Sequence, residues 1–153
     1  ALISILKLIP ELPKPVVAVM NGDAVASGGA FVAVADYAIS VPDAKIGSYE
    51  VSVGVWPIVA QVPLIKRLGA RAAIQNIASG EPFTADQAVS VGLLNEIGSA
   101  DQVDALASEW LNKASRAGKT MASGRPSVYQ LEQLNLSDGL DAAFKLLSQA
   151  YEK

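Results

Sequence analysis

Residues 21–30 read NGDAVASGGA, a stretch rich in small residues that lies between two predicted strands. It follows VVAVM at residues 16–20, a β-branched run typical of a buried strand. The loop of small residues at 23–29 leads into a short, tightly packed helix predicted at residues 30–35. A second strand is predicted at residues 37–41. Because the order is strand, helix, strand, the sequence predicts a parallel crossover.

The same loop is a candidate binding site for an oxygen atom. The first turn of a helix leaves backbone N–H donors unpaired and carries the positive end of the helix dipole. Such donors can hold an oxyanion or a carbonyl oxygen. The glycines also fit a purely structural role, in which they only let helix and strand pack closely. The residues of the loop by themselves leave both interpretations open.

The rest of the chain reads as strands with crossovers first and helices last. A capping box is predicted at residues 84–87, with Gly92 at the end of its helix, and a second box at residues 99–102. A linker is predicted at residues 118–124. A change in pattern near Gly98 divides an α/β part, residues 1–98, from a helical part, residues 99–153. Helices are further predicted at residues 2–9, 57–68, 71–78 and 103–114, with a brief strand at 44–47 and two last helices starting near Pro126 and Ser137.

Composition limits the possible functions. The 153 residues have room for one ordinary domain, with 51% hydrophobic residues and a net charge of −3. Neither nucleic acid nor an anionic membrane is an expected partner, because no basic patch is present. The chain has no Cys and no His, so we expect no disulfide, no thiolate or imidazole chemistry and no metal site.

The ends of the sequence give two further expectations. No signal peptide or membrane-spanning run is recognised, so we expect a cytoplasmic protein. The chain begins without Met inside a predicted helix that has no N-cap, so we expect that an upstream portion is absent.

Several motifs in register over about residues 10 to 98 together resemble the enoyl-CoA hydratase/isomerase (crotonase) family. They are KPVVAVMNG at 14–22, SGG at 27–29, DYAI at 36–39, AKIG at 44–47, EVSVGVWP at 50–57, RLG at 67–69, GEPFTADQA at 80–88 and GLLNEI at 92–97. The resemblance implies a crotonase-like α/β fold, a partial spiral of β-β-α turns, with a C-terminal helical trimerisation region at residues 99–153. It also implies an acyl-coenzyme A substrate, no separate cofactor, and a homo-oligomer, either a trimer or a hexamer.

The resemblance also implies a set of site residues. The backbone N–H of Ser27 falls on one of the two amides that hold the thioester oxygen in this family. Glu50 falls on the acid/base glutamate that works beside the acyl chain. We expect the substrate-binding set to include Ala24, Gly28, Trp56 and Pro57 as well.

Departures from the family pattern favour isomerisation over hydration. Ala30 stands where hydratases have a second glutamate, and Ala can neither orient nor deprotonate water. A single glutamate is enough to move a proton between two carbons of an enoyl thioester. Tyr49 replaces the usual Pro before the acid/base glutamate, and residues 58–63 replace a glycine-rich stretch, so the acyl group is not predicted.

Two alternatives remain from the sequence. In a catalytically impaired acyl-CoA-binding or assembly remnant, Trp110 and Phe144 would be interface anchors instead of ordinary core residues. We also expect that the family's segment with the other oxyanion amide is absent, and the loss of one such donor costs about 2.7–4 kcal/mol of transition-state stabilisation. In a serine peptidase of the signal-peptide-peptidase type, Ser27 would be the nucleophile and a lysine its base.

Overall fold

The computed structural model describes residues 1–151, with side chains described through residue 150. Residues 152–153, the end of the predicted helical part 99–153, and the side chain of Tyr151, expected on the last helix face, lie outside the described residues. Strands and helices alternate through the first two thirds of the chain, and helices follow. The elements are α1 (Leu2–Leu8), β1 (Val17–Met20), β2 (Ala24–Val25), α2 (Ser27–Val34), β3 (Tyr37–Ser40), β4 (Lys45–Gly47), α3 (Gln61–Ser79), β5 (Phe83–Thr84), α4 (Ala85–Ser90), β6 (Glu96–Ile97), α5 (Val103–Ala114), α6 (Met121–Leu131) and α7 (Leu136–Tyr151).

Two three-stranded sheets form the α/β part. In the first sheet the order is β1-β3-β6 and all strands are parallel, with Val17 opposite Tyr37. In the second sheet, β4 pairs in parallel with β2 and antiparallel with β5. The chain therefore contains two consecutive β-β-α units, β1-β2-α2 and β3-β4-α3. Each unit contributes one strand to each sheet and then forms a helix. This confirms the predicted parallel crossover and the β-β-α spiral.

Three apolar clusters hold these layers together. The largest joins Met20, Val32, Ile46, Leu64 and Ile77 from strands and helices of the spiral. In the second cluster, α1 packs on α2 through Leu6, Ala30 and Ala60, of which Ala60 immediately precedes α3. The third cluster consists of Ile39, Val103 and Ala107, so that α5 packs directly on the first sheet. The helical part is thus in contact with the α/β part.

Local signals in the sequence are mostly confirmed. The capping box at Thr84 and Gln87 is complete, and Gly92 follows α4 with a φ of 81°. The break predicted between two helices falls at Gly69, whose φ of 75° kinks α3. The second capping box forms only in part, because the Ser99 hydroxyl donates to Asp101 at 2.5 Å, while the Ser99 N–H donates to the Gln102 side chain.

Several predictions from the sequence are wrong. Helix α2 begins at Ser27, not at residue 30, because Ala26, with φ 55° and ψ −122°, turns the chain immediately before it. The predicted linker at 118–124 is helical: a 3-10 turn, Ser115–Thr120, kinks at Gly118 and continues into α6. Pro126 consequently lies inside a helix and does not start one.

Trp110 and Phe144, the two candidate interface anchors, differ in their surroundings. The Trp110 ring stacks on Tyr37 of β3, with ring centroids 4.8 Å apart. Phe144 of α7 is 69% exposed. None of the helices within residues 1–151 combines the length and the apolar character that crossing a bilayer requires.

Candidate functional site

The site is built on the turn that joins β2 to α2. The Ala26 carbonyl accepts the N–H of Ala30 at 3.2 Å, and the Ala26 N–H donates to the Gly47 carbonyl at 2.9 Å. Ser27, Gly28 and Gly29 are the first three helical residues, so their N–H groups have no acceptor within the helix. The N-cap residue provides no side-chain acceptor. Ser27 is an exposed residue at this end of the helix.

Two glycines of this turn have different reasons to be glycine. A Cβ on Gly29 would lie 2.7 Å from the Gly47 carbonyl oxygen, so only glycine allows α2 to approach β4 this closely. A Cβ on Gly28 would meet Ala24 at 3.6 Å, an ordinary contact. Packing therefore explains Gly29 but does not require Gly28. The open side of the turn lies at Ser27 and Gly28.

Glu50 follows Gly47, the last residue of β4, whose carbonyl accepts the Ala26 N–H of this turn. Three residues after Gly47, Glu50 begins a 3-10 turn, Glu50–Val53, and its side chain is half-buried. Its Oε2 atom accepts two hydrogen bonds, from Ser48 Oγ at 2.5 Å and from the Tyr49 N–H at 2.9 Å. The second of these needs a residue with an N–H, which the Pro expected from the family resemblance does not have.

A buried asparagine holds the segment before Glu50. Asn76 of α3 is 2% exposed and accepts the Ser48 N–H at 2.8 Å. Its amide nitrogen donates to the carbonyls of Ser48 and Glu81, both at 2.8 Å. Sequence reasoning missed Ser48 and Asn76. The only available signal was a polar residue within the otherwise apolar spacing of α3.

Trp56 and Pro57 lie on the chain that returns from Glu50 to α3. The Val55 N–H donates to the Glu50 carbonyl at 3.0 Å, just after the 3-10 turn. The Trp56 indole is 44% exposed and donates to Gln61 at 3.0 Å. Pro57 is buried. The fold therefore brings Ala24 against Gly28 and joins Trp56 and Pro57 to Glu50 through the backbone.

Ala30 occupies a closed position. It is fully buried and packs with Leu6 of α1 and with Ala60. No space for a longer side chain is left between these neighbours without a shift of α1 or of the chain that leads into α3.

A separate cavity of about 730 Å³ lies among α1, α2, α3 and α6. Its wall is mainly apolar, with Leu6, Val34 and Val62, and it also includes Lys66 and Arg67. None of the predicted site residues lines this cavity. Sequence reasoning missed it because its wall comes from four helices that are far apart along the chain. Within the described residues, no group of three or more His, Cys, Asp or Glu side chains is arranged to hold a metal ion.

Comparisons with known proteins agree with this architecture. An enoyl-CoA hydratase from Mycobacterium smegmatis superposes with a TM-score of 0.90 at 24% identity, over 97% of this chain and 58% of its own. A family protein from Silicibacter pomeroyi gives 0.89 at 20% identity, over 99% of this chain and 66% of its own. An enoyl-CoA hydratase from Bacillus anthracis gives 0.87 at 24% identity, over 99% and 58%.

These structures show the shared fold, and the chain spans 58–66% of their lengths. The family follows from sequence. A family model described as Enoyl-CoA hydratase/isomerase matches residues 2–151, nearly the whole chain. The resemblance found in the sequence motifs is thereby confirmed: the chain belongs to the enoyl-CoA hydratase/isomerase family.

Proposed function

We propose that this chain acts on an acyl-CoA thioester and moves a proton between two carbons of an enoyl group. The observation that carries the proposal is the contact between the Ala26–Gly29 turn and Gly47, three residues before Glu50. This contact links a set of free backbone amides to a carboxylate that is held by the protein. Both groups are needed when a proton is removed next to a carbonyl.

The proposed reaction has two proton transfers. The Glu50 carboxylate takes a proton from the carbon between the thioester carbonyl and the double bond of a 3-enoyl thioester. The resulting negative charge spreads onto the thioester oxygen, which accepts the N–H of Ser27. The carboxylic acid then returns the proton to the far end of the conjugated system. The product is a 2-enoyl thioester, and the enzyme returns to its starting state with no net gain or loss of atoms.

The surroundings of Ala30 support isomerisation over hydration. Hydration needs a group that orients and deprotonates water, and Ala30 has no polar side-chain atom. Its side chain is fully buried in a cluster with Leu6 and Ala60. One carboxylate at Glu50 is enough for proton transfer between carbons.

We also propose that the chain works as a homo-oligomer, with a trimer or hexamer as the expected state. The face of α7 supports this. Leu140, Phe144 and Leu147 are spaced along one side of the helix and are 62%, 69% and 53% exposed. An apolar stripe of this kind is typical of a surface that another chain covers.

The test of the proposed function is proton exchange at a thioester substrate. The protein is incubated with 3-hexenoyl-CoA in deuterated water, and deuterium at the α and γ carbons is followed by NMR and mass spectrometry. Glu50→Gln should slow exchange at least about 100-fold, since general acid–base catalysis contributes 10²–10⁴-fold. Glu109→Gln, an exposed glutamate on α5, is the matched control and should leave the rate unchanged. An equal rate in the Glu50→Gln and wild-type proteins would refute the assignment.

The same assay tests the role of Ser27. Ser27→Ala keeps the backbone N–H, so the exchange rate should stay within about threefold of wild type. The peptidase alternative predicts instead that a fluorophosphonate labels Ser27 and that Ser27→Ala abolishes both labelling and peptide cleavage.

A further inference from the structure

A single buried side chain, that of Asn76, holds the segment from Gly47 to Glu50 in place. Asn76 is 2% exposed, and its amide group makes three hydrogen bonds, each of 2.8 Å. Two of them, to the N–H and the carbonyl of Ser48, hold that residue from both sides. A buried asparagine in a helix interior is unfavourable unless its polar atoms are paired. In this protein, two of the three hydrogen bonds of Asn76 are made with Ser48, two residues before Glu50.

Gly47 makes room for this side chain. Its φ is +129°, a conformation that favours glycine, and a Cβ at this position would lie 2.6 Å from Asn76 Oδ1. The same glycine contacts the amide turn, because its carbonyl accepts the Ala26 N–H at 2.9 Å. Asn76 therefore fixes the chain at the point where β4 leaves the turn.

Ser48 carries this constraint to the carboxylate. The Ser48 side chain is fully buried, and its hydroxyl donates to Glu50 Oε2 at 2.5 Å. The Tyr49 N–H donates to the same oxygen at 2.9 Å. In the part of the chain that the structure describes, no group donates a hydrogen bond to Oε1 of Glu50. One oxygen of the carboxylate is thus held and the other is free.

We propose that Asn76 and Ser48 are positioning residues for Glu50: Asn76 fixes the Ser48 peptide, and Ser48 with the Tyr49 amide holds Oε2, so that Oε1 is presented for proton transfer. This inference rests on the proposed function of Glu50. Neither residue touches the substrate; both act through the carboxylate. Their effect is on the rate of the chemical step and not on the binding of the thioester.

The first experiment reads the position of the carboxylate without any turnover. Amide hydrogen exchange at single residues is followed by NMR in the full chain. In Ser48→Ala, the Tyr49 amide should exchange about tenfold faster, because its acceptor, Glu50 Oε2, has lost the hydrogen bond from the Ser48 hydroxyl. The Ser48 amide should keep its protection, because Asn76 still accepts it. In Asn76→Leu, which has a similar volume, both amides should exchange faster.

The second experiment is the deuterium exchange assay with 3-hexenoyl-CoA. Ser48→Ala should lower kcat about tenfold with KM unchanged, and Ser48→Thr, which keeps the hydroxyl, should recover most of the rate. The matched control is Ser90→Ala on α4, an exposed serine that bonds only to its own helix. This variant should match wild type in both measurements.

The outcomes separate the two proposals. Unchanged protection of the Tyr49 amide in Ser48→Ala would overturn the positioning role, whatever the turnover. A rise in KM with constant kcat would also overturn it. A third outcome is faster amide exchange at Tyr49 in Ser48→Ala together with unchanged deuterium exchange at the thioester in Glu50→Gln. In that case the proposed function is refuted, whereas the anchoring of the Glu50 carboxylate by Ser48 is confirmed.

Discussion

A buried ion pair between β3 and α6 gives the sharpest prediction about stability. Asp36, which directly precedes β3, accepts Arg125 Nε at 2.7 Å and the Val16 N–H at 2.7 Å, and it also accepts the hydroxyl of Tyr129. The two charged side chains are 5% and 12% exposed. Arg125 also donates to the Leu12 carbonyl at 2.7 Å. This pair therefore joins α6 to the chain before β1 and to the start of β3.

The expected cost of breaking the pair follows from its burial. Removal of one partner of a buried ion pair leaves an uncompensated charge and costs about 3–5 kcal/mol. For a chain of this size, that loss lowers the melting temperature by roughly 6–20 °C. Asp36→Asn and Arg125→Met should each show it. The double variant should lose less than the sum of the single losses by about 1–3 kcal/mol, because it leaves no charge unpaired.

The measurement is urea denaturation followed by circular dichroism, with thermal melting as a second probe. The matched control is the exposed pair on α5, in which Lys113 Nζ lies 2.6 Å from Glu109 and the side chains are 61% and 60% exposed. Lys113→Met should leave the midpoint unchanged, because solvent screens an exposed pair. Strictly additive losses in the Asp36 and Arg125 variants, or single losses as small as that of the control, would refute the reasoning.

Three further predictions concern a closed position, a tyrosine and a helix face. Ala30→Glu should lower the free energy of unfolding by at least about 3 kcal/mol in urea titrations, because the new carboxylate would be buried between Leu6 and Ala60. An unchanged midpoint of urea unfolding would contradict this packing. Burial, and then the hydrogen bond to Asp36, raises the pKa of Tyr129 above its usual value of 10.0. The contribution of this shift to stability is therefore complete below pH 10 and is lost as pH rises through the higher folded-state pKa. Tyr129→Phe should make the free energy of unfolding fall less steeply at alkaline pH, and equally steep falls in both proteins would argue against this cause. Phe144→Asp on the exposed face of α7 should shift the sedimentation coefficient from an oligomer to a monomer, whereas a wild-type chain that sediments as a monomer would remove the basis for the proposed assembly.

Prediction from sequence succeeded where the signal is local. The β-branched run before Asn21 gave β1, the small-residue stretch gave the crossover, and the Thr84 capping box and Gly92 gave both ends of α4. Each of these depends on residues within a few positions of one another. The family was recognisable for a related reason, since its motifs are short and keep their order along the chain.

The segment at 118–124 shows where local signals mislead. Its glycines and Ser123 predict a linker, yet the end of a 3-10 turn and the start of α6 form there. Arg125 fixes the segment to Asp36, which is 89 positions away in sequence, and this contact outweighs the local preference. The sequence does not indicate which distant carboxylate will pair with a buried arginine.

The sequence alone was enough to predict the β1-α2-β3 crossover, the family and the residue types that can do chemistry in a chain without Cys or His. The roles of Ser27 and Glu50 stay predictions that rest on this resemblance and on the geometry around them. Three features became visible only in the folded chain: the hydrogen bonds of Asn76 to Ser48, the held Oε2 beside the free Oε1 of Glu50, and the packing of α1 against Ala30. The physical reason is that hydrogen-bond partners and cavities are set by packing between distant elements, which periodicity and spacing along one chain do not encode.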